Sequence, residues 1–137
     1  MSKMLFLDSS FLVALYNTRD IHNKRALELM SRFSKEDHGG FAISDYVFDE
    51  FINVFLNKYE DIGKAKKYGK DVLDFTTVFF CSERDFKNSW ELFDSQKNTT
   101  LNFTDCSIIS LMENKGMNKI ATFDKDFKKV QRVTVVD

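Results

Sequence analysis

Apolar residues along this chain fall into short runs, separated by longer stretches in which they recur with a helical period. The first run, residues 4–7, has no polar residue within it, which is typical of a strand covered on both faces. Four later segments are similarly short and rich in apolar residues. We therefore predict strands at residues 4–7, 41–43, 78–81, 119–123 and 132–136.

The stretches between these runs predict helices, because apolar residues three or four positions apart share one helix face. Ser9 and Ser10 are candidate caps of the first helix, and Ser44 or Asp45 of the third. Ser82 opens the fifth helix in a pattern that resembles a capping box. The predicted helices are residues 11–16, 20–33, 45–59, 61–74, 82–96 and 103–114, and a turn is predicted at 35–40.

Strands and helices alternate along the whole chain, which is the pattern of a parallel sheet with helices on both faces. The length of 137 residues is that of one ordinary domain. The expected fold class is α/β, a three-layer α/β/α sandwich with a mostly parallel central sheet. We expect residues 1–137 to form it as a single domain.

The balance of charge limits the function classes. The chain has 20 basic and 21 acidic residues and a net charge of -1, so it has no overall field that attracts polyanions. This argues against a protein that coats nucleic acid without specificity. Any nucleic-acid binding must depend on local patches or on metal ions.

The thiols and imidazoles do not have the spacing of a zinc site. Cys81 and Cys106 lie far apart in apolar sequence, and His22 and His38 lie elsewhere. Buried free thiols in a reducing compartment are the simplest interpretation. No apolar run is long enough to span a membrane and no signal peptide is recognised, so the expected location is cytoplasmic.

Two predicted strands end directly on an aspartate, Asp8 and Asp124. Ligands bind beyond the carboxyl ends of strands in open parallel sheets, so both carboxylates are candidates for a functional site. The structural alternatives are a helix cap for Asp8 and a turn residue for Asp124. Asp126 could serve the site in place of Asp124.

Two further acids lie on predicted helices. Glu50 falls beside the apolar stripe of its helix, where it is either an edge residue or directed into a site. Asp105 is in the first turn of its helix, where the helix dipole favours an acid, yet it lies on the face that should be buried. A buried carboxylate requires a cation or several hydrogen bonds, and Thr104 could donate one.

Four carboxylates gathered at one edge would repel each other, by about 3 kcal/mol for a pair at 5 Å and an effective dielectric of 20. Divalent cations would remove this cost, and oxygen ligands suit Mg²⁺ or Mn²⁺. The expected site therefore holds such a cation between Asp8, Glu50, Asp105 and Asp124.

The same residues resemble the motifs of the PIN-domain family, and the resemblance covers nearly the whole chain in the right order. The matching segments are residues 7–15, 20–26, 44–53, 101–105 and 121–127. The resemblance implies a metal-dependent endoribonuclease similar to VapC toxins, with Ser10 and Thr104 as supporting polar residues. It also implies a small antitoxin partner and a homodimer.

Substrate contacts are expected from Lys125 and Lys128, which follow Asp124 closely. The lysine-rich segment 64–70 is more simply a solvated helix face. Phe86, Trp90 and Phe93, at helical spacing, predict core or dimer packing.

The alternative function is a PIN-like RNA-processing or binding module without a toxin role. A haloacid-dehalogenase-type phosphatase would need an aspartate two residues after Asp8, where Ser10 stands. A phosphoaspartyl receiver would need paired acids at the end of its first strand and a lysine at the end of another, and neither is seen.

Overall fold

A computed structural model describes residues 3–36 and 39–137, and its centre is a five-stranded parallel sheet. The strands are β1 Leu5–Leu7, β2 Phe41–Ser44, β3 Thr76–Phe79, β4 Lys119–Ala121 and β5 Thr134–Val136. The strand order is β3-β2-β1-β4-β5, and every neighbouring pair is parallel. Helices lie between the strands along the chain, and the predicted three-layer α/β/α sandwich is confirmed.

Six α-helices connect the strands. They are α1 Ser9–Tyr16, α2 Asn23–Lys35, α3 Asp45–Asn53, α4 Ile62–Phe75, α5 Glu83–Asp94 and α6 Phe103–Asn114. Among the described residues, no helix is long and apolar enough to cross a lipid bilayer. The core between the layers is rich in aromatic side chains, and Phe6, Phe11, Phe33, Phe51 and Phe127 are among its largest fully buried members.

Several predicted boundaries were wrong by a few residues. The second helix begins at Asn23 rather than at residue 20, because Asp20 accepts the His22 N–H and holds a turn before it. The third strand is Thr76–Phe79, not 78–81, and the last two strands are shorter than predicted. The predicted turn at 35–40 includes Asp37 and His38, which lie outside the described residues.

The predicted helix over residues 45–59 does not continue as a regular α-helix. Its α-helical part ends at Asn53, and Val54–Lys58 forms a π-helical turn in which the N–H of Tyr59 donates to the carbonyl of Val54 at 3.3 Å. The period of apolar residues does not distinguish these two helix types over one turn.

The aromatic residues of α5 are not in the core. Phe86, Trp90 and Phe93 are 51%, 53% and 39% exposed, so of the two predicted alternatives core packing was wrong and dimer packing stays a prediction. Trp90 stacks on Phe93 with 5.8 Å between ring centroids, and Phe93 contacts Phe103 at the start of α6. Together these side chains form an exposed aromatic surface.

The strand order creates a crevice. The chain adds β2 and β3 on one side of β1, and then crosses to place β4 and β5 on the other side. The connections therefore diverge at the carboxyl ends of β1 and β4, which is where open α/β sheets bind ligands.

Candidate acidic site at the carboxyl edge of the sheet

Asp8 follows β1 directly and is held by three donors. Its Oδ1 accepts the Phe11 N–H at 2.9 Å and the Ser10 hydroxyl at 2.8 Å, and its Oδ2 accepts the Thr122 hydroxyl. Asp8 is thus itself the N-cap of α1, so the suggestion that Ser9 or Ser10 caps this helix was wrong. The same carboxylate therefore caps α1 through one oxygen and accepts a hydrogen bond from Thr122, just after β4, through the other.

The side chain of Asp8 is buried, with 2% of its surface exposed. Burial raises its pKa to about 6, while the hydrogen bonds from Thr122, Phe11 and Ser10 oppose the rise and the charge of Asp124 adds to it. The donors that surround Asp8 therefore only partly offset the loss of water around a charged carboxylate.

Asp105 lies in the first turn of α6, as predicted, and α6 has the predicted bounds. Its Oδ2 accepts the Asn102 N–H at 3.1 Å, and its own N–H donates to Asn102 Oδ1 at 2.8 Å, which completes a capping box. The carboxylate is 8% exposed. The donor to Asp105 is this backbone N–H and not the Thr104 side chain, so the suggested Thr104 hydrogen bond was wrong. The Thr104 side chain instead lines a cavity beside Glu50.

The electrostatics of Asp105 connect the four predicted acids. Burial raises its pKa to about 7, the Asn102 N–H opposes the rise, and the charges of Asp8, Asp124 and Glu50 add to it. The charges of the other three predicted acids therefore all reach Asp105. Among the described residues, none of the four forms a salt bridge with a lysine or arginine.

Asp124 joins this group although β4 does not lead into it directly. The strand ends at Ala121, so the prediction that Asp124 follows its strand immediately was wrong. Its N–H donates to the Thr122 hydroxyl at 3.0 Å, and its Oδ1 caps the short 3₁₀ helix Lys125–Lys129 by accepting the Asp126 N–H. Thr122 thus links Asp124 to Asp8 through two hydrogen bonds.

Asp126 faces away from the group and has other partners. It accepts the Thr100 N–H at 2.9 Å and the Thr100 hydroxyl at 3.1 Å, and it lies 3.2 Å from the Lys129 ammonium. The Thr100 N–H, followed by Lys129, lowers its pKa. These contacts attach the 3₁₀ helix to the loop before α6, which explains the residue as a structural one. Of the two alternatives, the geometry places Asp124 with the other acids.

Glu50 reaches the group from α3. One carboxylate oxygen accepts the Ser9 hydroxyl, and the other accepts the Asn102 side-chain N–H at 3.4 Å. Asn102 therefore contacts both Glu50 and Asp105. Glu50 is half-buried, which agrees with the predicted position at the edge of the apolar stripe.

Sequence reasoning missed three polar residues of this edge: Ser9, Asn102 and Thr122. Thr122 is 1% exposed and lies between Ala121 and Phe123, so a polar residue inside an apolar segment at a strand end was the available signal. The signal for Asn102 was an asparagine three residues before an aspartate at a helix start. Ser9 had no signal, since its bond to Glu50 spans 41 residues.

The donor set fits a hard divalent cation in its chemistry. It consists of carboxylate oxygens, with hydroxyls and an amide behind them, and Mg²⁺ and Mn²⁺ prefer oxygen ligands. Burial raises the pKa of two of the carboxylates, Asp8 and Asp105, and a nearby cation would favour their ionised forms. Within residues 3–36 and 39–137, no three histidine, cysteine or acidic side chains lie close enough together in this structure to hold a metal ion.

The remaining candidates lie around this edge. Lys125 is exposed and forms no ion pair with a described residue, whereas the Lys128 ammonium lies 2.8 Å from the Asp137 carboxylate. The ring of His22 stacks on Phe123 with 4.3 Å between centroids.

Both cysteines are free, and the pKa of each thiol is raised by burial, to about 12 for Cys81 and about 11 for Cys106. Cys106 is buried, as predicted, whereas Cys81 is partly exposed. Thiols with such pKa values stay protonated near neutral pH and are poor nucleophiles.

Comparison with known proteins agrees with this architecture. The family model described as PIN domain matches residues 5–133. No curated protein matches the sequence significantly. Among solved structures, the fold is similar to that of VapC20 from Mycobacterium tuberculosis, described as a Sarcin-Ricin loop cleaving toxin, with a TM-score of 0.79 and 20% identity over 94% of this chain and 96% of that chain.

Two toxin–antitoxin structures are also similar. VapBC2 from Rickettsia felis, bound to a DNA fragment from its promoter, matches with a TM-score of 0.71 and 19% identity over 97% of both chains. A toxin–antitoxin complex from Klebsiella pneumoniae matches with a TM-score of 0.69 and 19% identity over 97% of this chain and 96% of that chain.

Proposed function

Because this chain belongs to the PIN-domain family, we propose that it is a metal-dependent endoribonuclease and the toxin of a toxin–antitoxin pair similar to VapBC. The observation that carries the proposal is the cluster of Asp8, Glu50, Asp105 and Asp124, in which like charges act on Asp105 and no acid forms an ion pair with a described lysine or arginine. A cluster with only a structural role would be more stable with a lysine or arginine beside it. A site that binds a cation binds it more strongly when no such basic residue is present.

The four carboxylates are proposed to hold Mg²⁺ or Mn²⁺. When bound, the cation lowers the pKa of water near it and offsets the charge that develops on the phosphate in the transition state. The nearby charge of the cation also favours the ionised forms of Asp8 and Asp105, which burial disfavours in its absence.

The neutral residues around the acids orient them. Thr122 fixes Oδ2 of Asp8 on the side of β4, and Ser10 fixes Oδ1 beside the cap of α1. The Asn102 amide holds Glu50 next to α6. These donors are hydroxyls and amides, so they set the direction of a carboxylate without neutralising the charge that a cation requires.

RNA would approach this edge in the cytoplasm with its phosphates toward the cations. Lys125 and Lys128 are proposed to contact those phosphates, and the exposed Lys125 has no ion pair to break before it does so. Lys128 would first have to leave Asp137.

The proposed function also includes a small antitoxin as protein partner and assembly of the chain into a homodimer. The similarity to VapBC2 and to the Klebsiella pneumoniae complex favours a small antitoxin over an RNA-processing role. The exposed aromatic surface of Phe86, Trp90 and Phe93 is proposed to bind a second copy of the chain, because large aromatic side chains are enriched in protein interfaces and rarely left in water as a group.

Cleavage of a labelled single-stranded RNA by the purified chain, in Mn²⁺ and in EDTA, tests the function. We expect cleavage only with Mn²⁺, and a loss of about 10²-fold or more for Asp8→Asn and Asp124→Asn. Asp126→Asn is the matched control, since it removes a neighbouring charge that faces Thr100, and it should cut like the parent. Cleavage that survives EDTA, or both site variants cutting as fast as the parent, would contradict the proposal.

A further inference from the structure

We infer that Lys58 is a further substrate-binding residue, which contacts an RNA phosphate beside the acidic site, and that the cavity next to it receives the adjoining nucleotide. The inference deepens the proposed function and rests on it. It is carried by the position of Lys58 between two cavities, by the π-helical turn that places it there, and by the absence of an ion pair.

Two cavities flank Glu50, and Lys58 lines both of them. One, of about 260 Å³, lies on the α1 side and is also lined by Ser9, Ser10 and His22. The other, of about 440 Å³, lies on the side of α6 and is also lined by Thr104. An RNA backbone that runs past Glu50 from one cavity to the other would therefore pass Lys58.

The π-helical turn Val54–Lys58 determines this position. In a regular α-helix, with about 100° per residue, Lys58 would lie about 80° around the axis from Glu50. A π-turn closes its hydrogen bond one residue later, so it fits more residues into each turn and rotates the following side chains back. In agreement with this, Glu50, Val54 and Lys58 line the same two cavities. Single π-turns within helices often occur at functional sites.

The ammonium of Lys58 is available for a ligand. It lies 5.7 Å from the ring centroid of Tyr59, and no acidic side chain of the described residues forms an ion pair with it. A lysine that served to neutralise the acidic cluster would pair with Glu50, whose two oxygens instead accept hydrogen bonds from Ser9 and Asn102. Its charge is thus left for an anion, and the phosphate of RNA is the anion that this site must bind.

The cavity on the α1 side suits a nucleotide. Its walls combine the apolar Val13 and Val54 with the rings of His22 and Tyr59. The His22 ring is fixed in advance, because it stacks on Phe123 with only 4° between the two planes. Proteins bind the bases of single-stranded RNA through such rings and through hydrogen bonds to the base edges.

The lysines of α4 provide a contrast on the same protein. The cavity that Lys67 and Lys70 line contains Tyr16, Asp71 and Asp74, and it shares no residue with the acidic site. A general attraction of RNA to lysine would involve Lys67 and Lys70 as much as Lys58. A specific contact at the acidic site would involve Lys58 and not these two residues.

Steady-state cleavage of a short fluorescent single-stranded RNA in Mn²⁺ tests the inference, with Lys58→Met, Lys58→Arg and the matched control Lys67→Met. For Lys58→Met we expect KM to rise roughly three- to tenfold with little change in kcat. The slope of log(kcat/KM) against log salt concentration should become shallower by about 0.7, as for one lost phosphate contact. Lys58→Arg and Lys67→Met should behave like the parent.

The two proposals can fail separately. If the parent cleaves RNA and Lys58→Met has the parent KM and salt slope, the inference about Lys58 is overturned and the proposed function stands. An equal effect of Lys67→Met would also overturn it, since the contact would then be general attraction. If the parent cleaves no RNA under any metal condition, the proposed function fails and the inference fails with it.

Discussion

Helices α5 and α6 begin with the same capping box, but the aspartates of the two boxes have different surroundings. In α5 the Ser82 N–H donates to Asp85 at 2.9 Å and the Asp85 N–H donates back to Ser82 at 3.0 Å. In α6 Asn102 and Asp105 form the same reciprocal pair. Both aspartates are buried, with 3% and 8% of their surface exposed.

The difference lies in what the second oxygen of each carboxylate faces. Asp85 lies 3.5 Å from the side-chain N–H of Asn114, in a polar groove between the two helices that also contains Arg84 and Arg132. Asp105 instead lies within range of the charges of Asp8, Asp124 and Glu50. The capping box fixes where an acid lies at a helix start, but residues that arrive from distant strands decide whether it becomes part of a site.

The largest expected effect is on activity, and it distinguishes Asp105 from Asp85. We expect Asp105→Asn to reduce RNA cleavage in Mn²⁺ by about 10²–10³-fold, because it removes one of the proposed cation-binding carboxylates. Asp85→Asn makes the same chemical change in the same capping position and should leave the cleavage rate within about twofold of the parent. Equal losses in the two variants would indicate that the capping box, rather than the cluster, matters for activity.

The next effect is on stability, and it concerns the acidic edge alone. Because the folded pKa values of Asp8 and Asp105 are about 6 and about 7, against 3.8 when unperturbed, the folded protein binds more protons than the unfolded chain between these values. The free energy of unfolding of the metal-free protein should therefore fall as the pH rises from 4 to 8, by about 1.4 kcal/mol per pH unit for each aspartate up to its folded pKa.

Chemical denaturation in EDTA at several pH values measures this slope. Mg²⁺ should restore the lost stability at pH 8, since it binds the folded state and not the unfolded one. The double variant Asp8→Asn/Asp105→Asn should lack both the slope and the response to Mg²⁺. A metal-free parent whose stability is flat over this range would contradict the burial of two uncompensated carboxylates.

The smallest expected effect concerns Asp85 and its structural role in the capping box of α5. We expect Asp85→Ala to lower the free energy of unfolding by about 1–2 kcal/mol, because the Ser82 N–H loses its acceptor and Asn114 loses its neighbour. Thermal and urea denaturation measure the loss, and cleavage well below the melting temperature should be unchanged. Ser82→Ala removes the other half of the same box and should have a similar effect.

Much of the fold could be predicted because it depends on local patterns. The bounds of α6 follow from an apolar face between Asn102 and Gly116, and the parallel sheet follows from the alternation of strands and helices. Each of the four acids alone also had a structural explanation, and they could be selected because strand ends, a helix edge and a buried first turn together predict one site. The family resemblance then supported this selection, because the motifs that contain the four acids follow one another in the order expected for the family.

The rest depended on contacts that no local pattern contains. The roles of Asp124 and Asp126 differ because Thr100, 26 residues from Asp126 in sequence, supplies two donors to Asp126. The π-turn at Val54–Lys58 replaces a predicted α-helix, and the apolar period is too coarse to reveal one additional residue in a turn. The aromatic residues of α5 have the spacing of a core face, and only the packed structure shows that this face is exposed.

The pairing of β1 with β4 determines when the acidic site can form during synthesis of the protein. Leu5 pairs with Lys119, and the Thr122 hydroxyl that orients Asp8 lies 114 residues after it, so the ribosome makes the first acid long before its partners. Contacts so distant in sequence form late in folding. A nascent chain thus carries β1 and Asp8 before Thr122 and Asp124 have been made, so the acidic site can form only after residue 124 has been added.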